Sequence, residues 1–194
     1  MIRRFFPLLA LALVLAGCAA LQQVMALRQV AWAIGKVSDG RLAGVPLSRI
    51  ASVSDLTTAD AARLALAVSR GTAPLDFVVG VQANNPESNG TATLMRLDWM
   101  LLLDNKETIR GVLDSSYALP PGQPVTIPLR MQLDLRQFFD GGYDEIVNLA
   151  LGLVGASNDP TRITLELLPH IDTPLGPITA PSPIRVSGTP PSLR

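Results

Sequence analysis

One histidine and one cysteine are all the chain holds of the two side-chain types that most often carry metal and covalent chemistry. His170 stands in Leu168-Pro169-His170-Ile171-Asp172, where a general base with Asp172 as its orienter would be one reading. A spacing of two puts both side chains on one face of a strand without bringing them to a common substrate. No Gly-x-Ser-x-Gly turn supplies a nucleophile, so His170 reads as a strand-end or turn histidine. Asp140, Asp144 and Glu145 around Gly141-Gly142 have the composition of a calcium loop but not its ligand spacing. Acids in the first turn of a helix, favoured by its dipole, account for them more simply. The glycines fit neither the Walker nor the dinucleotide fingerprint. The sequence therefore assigns no catalytic residue, cofactor or metal ligand, and an enzyme is not expected.

Cys18 carries a different chemistry. Arg3 and Arg4 form a basic start, residues 5–15 a short apolar run, and Leu15-Ala16-Gly17-Cys18 follows. This pattern resembles the lipobox of bacterial lipoprotein signal peptides. The apolar run is shorter than the roughly 20 residues of a spanning helix, which argues against an uncleaved signal anchor. The resemblance implies removal of residues 1–17 and acylation of Cys18, with palmitate among the acyl groups. More than one acyl chain gives durable anchoring. An Asp after the lipobox cysteine tends to retain such proteins in the inner membrane; Ala19 stands there, so the resemblance implies the outer membrane, facing the periplasm. As the sole Cys, Cys18 also excludes a disulfide within the chain, and the core must supply the stability.

These residues need elements to hold them, and the composition favours strands. Lys plus Arg and Asp plus Glu number 16 each, without the basic excess that a nucleic-acid binder needs. Sixteen Pro and 15 Gly suit a turn-rich β protein better than a helical bundle. Residues 74–105 read as a long hairpin. Leu75, Phe77, Val79, Val81 and Ala83 face one way in its first strand, and Met95, Leu97, Trp99, Leu101 and Leu103 in its second. Between them, Asn84-Asn85-Pro86-Glu87-Ser88-Asn89-Gly90 is turn chemistry.

Before the hairpin, residues 28–53 read as two strands around a turn at Ser38-Asp39-Gly40, with Val30, Trp32 and Ile34 at spacing two. Thr57 caps a helix over 58–70, with Ala61, Leu64, Ala65 and Val68 as its apolar stripe. After the hairpin come a tight turn at Asn105-Lys106 and a strand over 108–114 in which Ile109 and Leu113 face the core. Val125, Ile127, Leu129, Met131, Leu133 and Leu135 alternate in a strand that Pro128 marks as an edge or a bulge. A second helix over 144–154 presents Ile146, Leu149, Ala150 and Leu153. Ile163, Leu165 and Leu167 form another strand, and the Pro-rich stretch 171–186 an interrupted edge strand.

The sum is a mainly β chain: an antiparallel β-sandwich with two short helical inserts. Its divisions are a signal peptide at 1–17, a lipidated tether at 18–27, the sandwich at 28–187 and a frayed tail at 188–194.

Val79-Gly80-Val81-Gln82-Ala83-Asn84-Asn85-Pro86, with weaker matches at Leu97-Asp98-Trp99-Met100-Leu101 and over residues 119–133, resembles the late-embryogenesis-abundant type 2 family, LEA14-like or WHy, in its lipoprotein form. The resemblance implies an immunoglobulin- or fibronectin-III-like β-sandwich, a link to desiccation or other water stress, and no catalytic residues. The helical inserts exceed a minimal sandwich of that kind. The expected function is a non-enzymatic envelope lipoprotein, protective or scaffolding, that meets the membrane through Cys18 and binds no nucleic acid. The alternative is a periplasmic carrier for a lipid or other apolar ligand, lined by Leu149, Leu153 and Trp99. An envelope protein or that ligand would be the further partner.

Overall fold

The computed structural model describes residues 29–157, 160–171 and 178–191. Cys18 with the signal and tether, Asp172, and the last three residues of the tail lie outside them. Among the described residues ten strands and two α-helices follow one another as β1 (Ala31–Leu42), β2 (Val45–Pro46), α1 (Thr58–Ser69), β3 (Pro74–Asn84), β4 (Ala92–Leu103), β5 (Lys106–Leu113), β6 (Tyr117–Leu119), β7 (Pro124–Asp134), α2 (Tyr143–Leu153), β8 (Ile163–Ile171), β9 (Ile178–Thr179) and β10 (Ile184–Gly188). They form two antiparallel sheets, ordered β2-β1-β3-β7 and β10-β8-β4-β5. In the larger sheet β6 pairs with the start of β4, and β9 with the end of β8. This is the mainly β sandwich with two helical inserts that the sequence implies.

Alternation decides which face each strand buries. In β3, Leu75, Phe77, Val79, Val81 and Ala83 are all buried; in β7, so are Ile127, Leu129, Met131 and Leu133. Leu97, Trp99, Leu101 and Leu103 of β4 and Ile163, Leu165 and Leu167 of β8 belong to the same core. A fully buried side chain of this size contributes roughly 1.5–3 kcal/mol relative to an exposed one, and it is in this shared core that those contributions accumulate. β7 lies at the edge of its sheet, where the missing N–H of Pro128 opposite Gly80 is tolerated. At the flanks β10 lies beside β1, and β5 and β6 beside β7, so the two sheets approach each other on both sides.

The helices cap one end. Thr57 Oγ1 accepts from the Asp60 N–H and donates to Asp60 Oδ2, a cap that starts α1 where expected. Leu64 is its buried residue; Ala65, expected in the apolar stripe, is exposed. α2 starts on Gly142, whose N–H donates to Glu145 Oε2 at 2.7 Å. That bond gives Glu145, one acid of the cluster around Gly141-Gly142, a structural role. Ile146, Val147, Ala150, Leu151 and Leu153 of α2 are buried.

Four local expectations change. Residues 31–42 form one bulged strand, because Asp39 (φ 56°) sits in an irregularity between Ser38 and Arg41 while the turn is made by Ala43 and Gly44 (φ 47° and 80°). Met95 is 40% exposed: a register shift between Leu94 and Arg96 hands the inward position to Leu94. The hairpin turn is Asp104-Asn105, both left-handed at φ 50° and 60°, rather than Asn105-Lys106. At the far end Gly188 closes β10 and Pro190 is buried beside Gly155, so packed chain runs on beyond residue 188.

Candidate functional site

Outward side chains of an antiparallel sheet are polar where water covers them. On the larger sheet they are not uniformly so. The ladders place Asp98 of β4 between Val112 of β5 and Leu168 of β8, and Met100 between Arg110 and Glu166. With Pro183 these side chains line a groove of about 310 Å³, which Trp99 and Gly111 also border. Val112 is 51% exposed there. Trp99 stands opposite Gly111, and its ring lies so close over the glycine that a Cβ would fall 2.7 Å from Trp99 Cε2. The charges around the groove are already matched. Arg96 Nε donates to Asp98 Oδ1 at 2.8 Å, Arg185 bonds Glu166, and Arg110 bonds Glu107.

Beside the groove lies the hydrogen-bonded group around His170. Its Nε2 is 3.0 Å from Asp98 Oδ2, and its Nδ1 is 2.9 Å from Thr179 Oγ1. Partial burial of Asp98 pushes its pKa up, but the hydrogen bonds and charges of Arg96 and His170 together outweigh that and hold the carboxyl below its usual range. The same carboxylate raises Arg96. Asp98 is thus ionised at neutral pH and accepts the proton on Nε2. Nδ1 makes the second hydrogen bond of the ring, with the Thr179 hydroxyl, its direction set by the tautomer.

Hydroxyl, imidazole and carboxylate in a row is the order that nucleophilic hydrolases use. Here the carboxylate end, Asp98, lines the groove, while His170 and Thr179 are not among its lining residues. Acyl transfer needs the hydroxyl end at the substrate. The geometry instead ties β9 to β8 and β4.

Of the residues singled out by sequence, His170 finds its carboxylate on another strand; Asp172 lies outside the described residues, as does Cys18. Leu153 is fully buried in the core and Leu149 half-buried against it. Neither lines the groove, whereas Trp99 does. No catalytic motif marks Arg96, Asp98, Thr179 or the groove's apolar residues; the β4–β5, β4–β8 and β8–β9 registers bring them together. No described helix is long and apolar enough to cross a membrane.

No family model matches the chain, and no curated protein matches it by sequence. Among solved structures it is similar to a crystal structure of a protein from Archaeoglobus fulgidus, at 13% identity and a TM-score of 0.34 over 60% of this chain and 85% of that one. It is also similar to the solution structure of a candidate late-embryogenesis-abundant (LEA) protein, at 14% identity and a TM-score of 0.37 over 98% and 90% of the two chains. The second bears the family description that the Asn84-Asn85-Pro86 stretch resembles. At these scores neither carries the architecture, which rests on the ladders described above.

Proposed function

We propose that the chain is a non-enzymatic lipoprotein of the bacterial cell envelope. It is held by acyl chains on Cys18 at the periplasmic face of the outer membrane and serves water-stress protection or envelope scaffolding. The anchor rests on the lipobox, and the stress role on the family resemblance of the sequence. The non-enzymatic reading is supported by the direction of the Thr179–His170–Asp98 row, whose carboxylate rather than hydroxyl borders the groove. Other polar groups are likewise used on the fold: Asn85 bonds two backbone carbonyls, and Asp134 accepts from the Ala73 and Arg136 N–H groups.

Radiolabelled palmitate fed to a double-membraned host expressing the full chain tests the anchor. Label is expected on the protein and in outer-membrane fractions, and it should vanish with Cys18→Ala. Unchanged labelling of that variant would overturn the anchor. The stress role predicts that a strain lacking the protein survives drying less well and is restored by His170→Ala as fully as by the wild type. Failure of His170→Ala to restore it would point back to catalysis.

A second reading, a periplasmic carrier for a lipid or other apolar ligand, is favoured by one observation, the apolar patch of Met100, Val112, Leu168 and Pro183 in the groove.

A further inference from the structure

We infer that the groove on the outer face of β4, β5 and β8 binds a single alkyl chain. The inference rests on the carrier reading and moves its site from the interior near Leu149 and Leu153 to the open sheet face.

Three features select the occupant. The first is charge. Each ionic side chain at the rim already has a partner, Asp98 with Arg96, Glu166 with Arg185, and Arg110 with Glu107. An ionic ligand would have to compete with these pairs, whereas a neutral apolar one leaves them intact.

The second is the floor. β4 is paired from Leu97 to Leu103 with β5 on one side and β8 on the other, so its backbone N–H and C=O groups are committed to ladders. A peptide laid in the groove would find few partners for its own backbone, and buried backbone groups without partners are strongly disfavoured. An alkyl chain has none to satisfy.

The third is shape. A twofold dimer would set this concave patch against its own copy, leaving a void between two hollows, and interfaces with voids lose the contacts that stabilise them. The volume of about 310 Å³ holds about ten water-sized groups at roughly 30 Å³ each. That suits one chain of about that many carbons. Removing Met100, Val112 and Leu168 from water supplies the drive.

Photo-crosslinking in isolated envelopes tests this on the full chain, with a dodecanol bearing a diazirine as the probe and phosphatidylcholine bearing the same group as a second arm. Saturable adducts on Met100, Val112 or Leu168, displaced by plain dodecanol, are expected. Val112→Lys should lower them at least tenfold, and so should Met100→Lys. Both replace outward-facing residues, and unchanged resistance to trypsin would show that the fold is kept. Adducts from the alcohol alone indicate a free ligand, and adducts from both indicate a chain drawn from a bilayer; either supports the site. Adducts on residues 149–153 would keep the carrier reading and overturn the groove. Adducts nowhere, or labelling untouched by both lysine variants, would overturn it as well, the former together with the carrier reading.

Discussion

Asn85 Nδ2 donates to the carbonyl of Leu119 at 2.7 Å, joining the loop after β3 to the end of β6 across 34 residues of sequence. The same amide donates to the Gly90 carbonyl at 3.0 Å, Asn85 Oδ1 accepts from Asn89 Nδ2, and the Asn85 carbonyl accepts from the Gly122 N–H. The side chain is wholly buried. It therefore pins two loops at the end of the sandwich where β1 begins, since Ala31 pairs with Asn84 and Asn84 with Pro124.

Asn85→Ala leaves two carbonyls without a donor in a buried setting. It is expected to cost about 2–3 kcal/mol, measured as a lower midpoint in urea unfolding at constant m. Asn85→Asp should cost at least as much, because a carboxylate would face the same two carbonyls. A variant at Glu87, an exposed residue of the same loop, is the control and should change little.

Gly111 and Trp99 make a second dependent pair. Gly111→Ala drives a Cβ into the indole ring, so it should destabilise by about 1–3 kcal/mol and red-shift or broaden the Trp99 emission as the ring moves. The two sites are in contact, and Gly111→Ala should cost less in a Trp99→Leu background than alone. A cycle in which the two effects simply add would show that the ring had already moved aside.

What the residues spell plainly is the alternation of β3 and β7, whose inward sets are buried as read except Val125, which is half-buried at the start of β7. Bulges are where the reading slips. Ser38-Asp39-Gly40 has the composition of a turn, and Asp39 does adopt a left-handed conformation, but inside a strand. Met95 sits where a period of two points inward, and the irregularity beside it turns it out. A one-residue slip exchanges the faces of a strand, so a bulge cannot be seen from alternation alone.

The candidate site is hidden for a different reason. His170 is read beside Asp172 because they are near in sequence, yet its partner Asp98 is 72 residues away and diagonal to it in the β4–β8 ladder. Met100, Val112 and Leu168 each look like an isolated apolar residue on the polar side of a strand, which is ordinary. Only the strand order β8-β4-β5 makes them one patch. Pairing order over such separations is set by the whole core, not by local pattern.

The pH response follows from Asp98. Its folded pKa lies below the ordinary value near 3.9, so it stabilises the fold above that value and the contribution is lost as pH falls through the lowered folded value. Asp98 is a third exposed, and solvent screening limits the effect to about 1 kcal/mol. Asp98→Asn should therefore be less stable than wild type by about that amount at pH 6–7. The gap should close as the pH is lowered from about 4, read from urea midpoints at each pH. A gap that widens in acid would reverse the assigned sign.

Leu153 and Leu149 separate core packing from ligand lining on α2. Leu153 is completely buried, so Leu153→Ala should cost about 2–4 kcal/mol through lost transfer energy and the cavity left behind. Leu149 is half-buried at the margin of the core, and Leu149→Ala should cost about 1 kcal/mol or less. Thermal unfolding of the two variants, with and without dodecanol, reads both roles at once. If α2 only packs the sandwich, dodecanol should raise the midpoint of wild type and of both variants equally. Loss of that rise in Leu149→Ala or Leu153→Ala alone would return the alkyl chain to the interior.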